Sequence, residues 1–468
     1  MTSTFSFGFS GDDIETGVDE NENENENETQ TAARLNNLSL KDSSASLPKL
    51  VEAERYQLDD WIHTLPSQIS YNKLNLNIPT QPESSLRLGR REVFDIRAQL
   101  MAEDEDEADH EELIAGLEQG DIKPFFYEGG FKTWECALDL ARLMASGEEV
   151  DALGLSLAGD DDEEDGEDVH VIELGCGTAM PSLAIFAQLL ARPPPTSPPR
   201  RKFSFTLADY NATVLRLVTL PNLLLTWKLN TCPASSEEKD AGNNPPETEN
   251  RQTHADENEK DEGDLDVDPA LLDAFQNDLV RRGISVDFVA GGWSPRFVDL
   301  ALTSREHALK QCPSQNSTSQ NKNITSPSAG STCTCTCSCR TLLLASETIY
   351  SPASLTAFSE TVLELLRRSC SAGPGPGPAC VSISGNNDNG NGNNNGNGSM
   401  SKSKSMSKAL IAAKKVYFGV GGGIDEFLHV LYQRPQENEI VNVKQRVDVK
   451  TEGVGRVILE IGLEKTSS

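Results

Sequence analysis

Apart from several low-complexity runs, apolar positions along the chain follow two registers. Short continuous apolar runs read as buried strands: VHVIEL (169–174), FSFTLAD (203–209), ISVDFVAG (284–291), TLLLAS (341–346) and ALIAAKKVYF (409–418). Between them, apolar residues recur at three- and four-residue spacing, the mark of a helix with one buried face. Such stretches are PSLAIFAQLLAR (181–192), 213–230 with a break expected at Pro221, DPALLDAFQNDLVRRG (268–283), PASLTAFSETVLELLRR (352–368) and DEFLHVLYQR (425–434). Pro181 sits in an allowed first turn, and Asp268 and Gly283 bracket their helix as start and stop signals. IVNVKQRVDVK and GRVILEIGL close the series as two successive strands. Alternating strands and helices predict a parallel sheet covered on both faces, and the closing pair adds an antiparallel edge. This is a doubly wound α/β domain, whose ligands bind beyond the carboxyl ends of the strands.

Length alone would allow two or three domains in 468 residues. The low-complexity runs change that picture. DENENENENE (19–28), MAEDEDEADHEE (101–112) and GDDDEEDGED (159–168) are acidic, and other polar runs occupy most of 233–267, 305–338 and 371–407. They bury too little apolar surface to offset ordering entropy and read as disordered insertions. One domain of roughly 250 ordered residues remains. The expected organisation is an acidic tail over 1–48, a partly ordered extension over 49–120 and the α/β domain over 121–468.

The formal net charge of −32 comes largely from these runs. It reads first as solubility and self-repulsion, and alternatively as a surface that attracts a basic protein, such as a ribosomal one. No long basic stripe exists to neutralise phosphates, so direct nucleic-acid binding is not expected. MTSTFSFGFSGDD has neither a charged nor an apolar leader region, and no run of about 18 apolar residues is present, so neither secretion nor membrane insertion is expected. Ten cysteines without a leader suggest reduced thiols and a cytoplasmic and nuclear location. Cys333, Cys335, Cys337 and Cys339 alternate in TCTCTCSCR, which reads as a dipeptide repeat rather than the paired spacing of a zinc site. No metal is expected.

The first strand runs into VIELGCGTAM (171–180). Its glycines, Gly175 and Gly177, allow a ligand close to the backbone, yet the third small residue of a dinucleotide fingerprint is replaced by Met180. S-adenosylmethionine, which has no phosphate, fits better, with Glu173 placed to answer its ammonium group. A bare structural turn or a redox cysteine are the competing readings, and Cys176 lacks a second cysteine at redox spacing. The second strand ends in Asp209, suited to ribose hydroxyls, and the third in GGW, where Trp293 could stack on an adenine or simply fill core.

YEGGFKTWECALDL (127–140), VIELGCGTAMPSLAI (171–185), ADYNATVLRLVTLPN (208–222), AGGWS (290–294), LASETIY (344–350) and KVYFGVGGG (415–423) occur in that order. In this the chain resembles the histidine protein methyltransferases, a family of the seven-β-strand, S-adenosylmethionine-dependent class. The resemblance covers most of 121–468 outside the insertions, and SETIY with FGVGGG is its specific part. It implies a Rossmann-like, seven-stranded methyltransferase sheet. It also implies that Lys132, Thr133, Trp134, Glu135 and Cys136 line the cofactor, and that Gly175 meets its methionine portion. Asp209 would bind the ribose with Tyr210 and Asn211 beside it, Gly291, Gly292 and Trp293 would enclose the adenine, and Ser346 would touch the cofactor after the fourth strand. Glu347 and Tyr350 form a Glu-x-x-Tyr that lies beside the substrate in related enzymes.

An imidazole acceptor has a reference pKa of about 6.5, so it is largely an uncharged nucleophile near neutrality, whereas a lysine at about 10.4 must first lose a proton. Such an enzyme needs alignment and a proton acceptor more than a strong base, and Glu347 is the candidate, with Tyr350 shaping the pocket. The expectation is a monomer acting on a protein substrate, the family's target being a protein of the large ribosomal subunit. A lysine-directed methyltransferase of the same superfamily and a non-catalytic ribosome-assembly factor are the alternatives.

Overall fold

The computed structural model describes residues 51–78, 81–103, 129–146, 168–196, 199, 201–231, 261–310, 339–370, 407–418, 421–450 and 453–465. The expected acidic tail, most of the three insertions and Cys333–Cys337 lie outside them.

In chain order the strands are β1 (Glu54–Gln57), β2 (Gln68–Ile78), β3 (Gln81–Arg91), β4 (Asp168–Leu174), β5 (Phe203–Asp209), β6 (Glu262–Asp266), β7 (Ile284–Ala290), β8 (Cys339–Ser346), β9 (Lys408–Lys414), β10 (Glu439–Val449) and β11 (Arg456–Lys465). The helices are α1 (Val93–Ala102), α2 (Glu135–Ala145), α3 (Met180–Ala191), α4 (Leu220–Thr231), α5 (Pro269–Arg282), α6 (Pro295–Lys310), α7 (Pro352–Cys370) and α8 (Ile424–Leu431). The main sheet runs β1-β7-β5-β4-β8-β9-β11-β10. Its five central strands, β7 to β9, are parallel, while β11, β10 and β1 pair antiparallel. Along β4 the side chains alternate faces: Val169 and Val171 enter one core, Ile172 and Leu174 the other. The first core lies under α2, α3, α4 and α5, and the second under α6, α7 and α8. The chain leaves β4 for β5 on one side, and β8 lies on the other, so the strand order switches at the carboxyl end of β4.

Three features depart from the sequence expectations. The sheet has eight strands rather than seven, because β1, too short to show a period, pairs with the outer edge of β7. The segment expected as an insertion over 233–267 contains β6, which joins β2 and β3 in a second, three-stranded sheet held by backbone pairing and the buried Leu265. The break expected at Pro221 is absent. Instead the helix leading into α4 widens to a π turn over Leu215–Thr219 and continues.

That π turn explains how the proline is tolerated. Pro221 has no N–H to offer the carbonyl four residues back, that of Leu217. The guanidinium of Arg91, buried at the end of β3, donates to that carbonyl at 2.9 Å. Its other nitrogens bind Asp95 and Gln99 of α1, and the Arg91 backbone N–H donates to Asn222 Oδ1. One side chain therefore joins β3, α1 and the proline-containing helix. Replacing Arg91 with Ala is expected to cost about 3 kcal/mol, because it strands a buried carbonyl and a carboxylate at once. A urea midpoint near that of the wild type would disprove this.

Candidate functional site

The turn after β4 is held from two sides. Gly175 (φ +62°), Gly177 (φ +47°) and Ala179 (φ +57°) all adopt left-handed backbone, so the chain reverses within a few residues. From β5, Asp209 Oδ2 accepts from the Gly177 N–H at 2.9 Å, and the Ala208 carbonyl accepts from Cys176 N–H. From the helical stretch, Thr219 Oγ donates to the Gly177 carbonyl at 2.7 Å, and Asn222 Nδ2 donates to the Thr178 carbonyl at 3.1 Å. Thr219 and Asn222 were not singled out in the sequence. They could have been found as isolated polar residues on a helix otherwise rich in leucine, a pattern that calls for a buried partner. Cys176 is buried against Thr219, and burial pushes its thiol well above the ordinary range, which suits a filler rather than a redox centre.

Glu173 lies beneath this turn, wholly buried. Its Oε2 accepts from the Ser182 N–H in the first turn of α3 at 2.9 Å, a favourable place for negative charge. Burial dominates, however, and lifts the carboxyl from 4.5 to about 8. Between those values the folded chain holds a proton that the unfolded chain has released, so stability falls as pH rises, and the full cost stands above about pH 8. Replacing Glu173 with Gln removes the titration. The stability gain of the variant over wild type is expected to grow from about pH 5 to about pH 9; a constant difference in urea midpoint would contradict this.

The segment 130–136 lies directly against the turn. A Cβ on Gly177 would stand 3.0 Å from Gly130 Cα, so both glycines are demanded by each other's backbone. Thr133 and Thr178 share a hydroxyl hydrogen bond at 3.2 Å. Lys132 is partly exposed, Trp134 precedes the first turn of α2, and Glu135 and Cys136 open that helix.

Cys136 N–H donates to Glu347 Oε1 at 3.4 Å, bringing in the carboxyl end of β8. There Ser346 is buried, and Glu347 adopts φ +57°, an uncommon conformation for a residue with a side chain and one that clusters at functional sites. Glu347 Oε2 and Thr348 Oγ are buried without a hydrogen-bond partner. Thr348 faces the glycine turn, since a Cβ on Gly175 would meet its Cγ2 at 2.8 Å. Lys414, the last residue of β9, approaches Glu347 Oε1 at 3.7 Å and Glu135 Oε2 at 3.0 Å. Burial works against the Lys414 charge, but Glu347 and Glu135 outweigh it and raise its pKa.

Residues 415–418 and 421–423 of the glycine-rich motif pack over the same loop. Gly422 makes room for it, because a Cβ there would lie 2.2 Å from the Tyr350 carbonyl oxygen. Tyr417 stands edge-on to Tyr350 with ring centroids 6.4 Å apart. Burial, with Glu347 nearby, pushes the Tyr417 phenol strongly upward. Tyr417 and Lys414 are further site residues that sequence reading missed, although both fall within or beside quoted runs.

The end of β7 adjoins Asp209. Gly291 (φ +118°) donates its N–H to the carbonyls of Asp209 and Tyr210, and Asn211 N–H returns to Asp209 Oδ1 at 3.3 Å. The chain before β1 crosses this turn: a Cβ on Gly291 would meet Ala53 Cα at 2.7 Å, and Gly292 N–H donates to the Val51 carbonyl. The close approach that requires glycine at 291 is therefore made by the N-terminal extension. Trp293 is partly buried, packing edge-on against Phe297 and Phe358 of the second core.

Turn, acid and Glu347 loop thus meet at the strand switch, while Tyr350 is reached through Tyr417. The polar atoms at the turn fit a ligand with an amino-acid head, with glycine backbone on one side and the unpartnered Thr348 Oγ on the other, which leaves the unpartnered Glu347 Oε2 uncommitted. Among the described residues, no group of His, Cys, Asp and Glu is arranged to hold a metal, and no helix is long and apolar enough to cross a membrane.

No family model matches the chain. It is 27% identical over 429 residues to histidine protein methyltransferase 1 of Schizosaccharomyces pombe, covering 91% of this chain and 89% of that relative. Against histidine protein methyltransferase 1 of Saccharomyces cerevisiae the identity is 28% over 380 residues, covering 80% and 76%. The mouse histidine protein methyltransferase 1 homolog is 23% identical over 347 residues, covering 74% and 60%.

Proposed function

We propose, from the premise that the chain belongs to the histidine protein methyltransferase family, that it methylates a histidine side chain of a protein, with S-adenosylmethionine as donor. The observation that carries this reading is Glu347: a left-handed residue at a strand end, with one carboxylate oxygen on Cys136 N–H and the other buried without a partner. S-adenosylmethionine supplies a methyl group already activated by its sulfonium. Gly175, Gly177, Asp209 and the 130–136 segment would hold it at the strand switch. What remains for the chain is to align the ring and manage one proton. Glu347 Oε2 accepts the hydrogen of the ring N–H. This fixes the tautomer with the opposite nitrogen's lone pair toward the methyl carbon, and it receives the proton that becomes acidic once the new N–C bond has formed. Tyr350 and Tyr417 wall the ring.

The substrate is read as a large-subunit ribosomal protein met in the cytoplasm or nucleus. The net charge of −32 supports this, because it would draw in a strongly basic partner. The test is incubation of the full-length enzyme with labelled donor and purified ribosomal proteins, followed by amino-acid analysis and mass-spectrometric mapping. Methylhistidine on a large-subunit protein is the expected product. Methyllysine would replace this reading with the lysine-directed one.

A further inference from the structure

We infer that Lys414 is a positioning residue for Glu347, holding that carboxylate against the first turn of α2 so that its free oxygen faces the acceptor. The inference rests on the reading of Glu347 as proton acceptor. Lys414 ends β9, the strand beside β8, so the two residues emerge over adjacent turns. Its ammonium makes three contacts at once: 3.0 Å to Glu135 Oε2, 3.7 Å to Glu347 Oε1 and 5.1 Å to the centre of the Trp134 ring. The Lys414 N–H also donates to the Tyr417 hydroxyl at 3.2 Å, so backbone and side chain are fixed together. The Lys414 side chain is 19% exposed and that of Glu347 8%, where an ion pair is screened far less than at the surface.

The charged and titratable groups around the pair come from every packed element. α2 contributes Glu135, the Cys136 thiol and Asp139; β11 contributes Arg456, which is bound to Asp139 at 2.6 Å; and the loop after β9 contributes Tyr417. Among the described residues, Lys414 is the cation in ion-pair contact with Glu347. Without it, the carboxylate would keep one long hydrogen bond to Cys136 N–H and face Glu135, a like charge. The Cys136 thiol and the Tyr417 hydroxyl also reach the carboxylate, but neither carries a positive charge to hold Oε1 away from the acceptor.

The competing role is a fastener that merely ties the 130–136 segment to β9. Both are separated by comparing full-length wild type, K414M, K414R, E347Q and the K414M/E347Q double variant. Each is measured for kcat, KM for a histidine peptide, donor Kd by calorimetry, and hydrogen exchange at the Cys136 amide. K414M is expected to lower kcat about tenfold, with KM and donor Kd within about twofold, and K414R to recover most of that loss. The double variant is expected to be no slower than E347Q, because residues that act as one unit do not add. Cys136 exchange is expected to quicken about tenfold in K414M and to stay near wild type in K414R. Losses that multiply in the double variant, or wild-type Cys136 exchange in K414M, overturn the inference. The exchange measurement needs no turnover. If wild type yields no methylhistidine, the proposed function fails while exchange still decides whether Lys414 holds Glu347.

Discussion

Glu347→Gln is expected to reduce kcat by about a hundredfold while leaving donor affinity within about twofold. Glutamine matches the shape of glutamate, so the left-handed backbone at 347 and the Cys136 contact survive. Its single amide oxygen stays on the side of the Cys136 N–H and Lys414, so the amide NH2 faces the ring where Oε2 stood and cannot accept the ring hydrogen. Nor can it take the proton that methylation makes acidic, and that deficit appears in turnover rather than in binding. Rate is expected to climb through about pH 6.5 in both proteins, because that limb belongs to the substrate imidazole shedding its own proton. Steady-state kinetics with a histidine peptide, alongside calorimetric titration of the donor, provide the check. Unchanged turnover would discard the role assigned to Glu347.

Gly175→Arg is expected to raise the donor Kd more than a hundredfold, beyond what calorimetry can measure, while the protein stays folded. Two obstacles act together. Left-handed backbone costs a side chain about 1–2 kcal/mol, and a Cβ would stand 2.8 Å from Thr348 Cγ2, at the junction of the glycine turn and the Glu347 loop. The strain falls on Gly175, the half-buried residue of the turn beyond the carboxyl end of β4, so a fall of only a few degrees in Tm is expected. Wild-type methylation by this variant would show that the donor lies elsewhere.

Much of this site was legible because strand ends in a doubly wound sheet must converge. VHVIEL, FSFTLAD and TLLLAS matched β4, β5 and β8 closely, since buried parallel strands read as unbroken apolar runs. Glu347 could be picked from SETIY, although its left-handed backbone could not. What stayed hidden shares a physical cause: it depends on contacts between residues far apart in sequence. β1 and β6 are short, and their pairing comes from partners 190 or more residues away. Pro221 looked like a helix breaker because the Arg91 guanidinium that rescues its orphaned carbonyl comes from β3. Gly291 looked like room for a ligand, yet the backbone of Ala53 occupies that space. Lys414 looked like an ordinary charge after a strand, and only the spatial neighbourhood of Glu135, Trp134 and Glu347 gives it meaning.

A crystal structure with S-adenosylhomocysteine bound tests the central claim most directly. The ligand is expected at the carboxyl ends of β4, β5 and β7, against Gly175 and beside Asp209, with its sulfur toward the Glu347 loop. Ligand density elsewhere on the molecule, or no binding at saturating concentration, would contradict it.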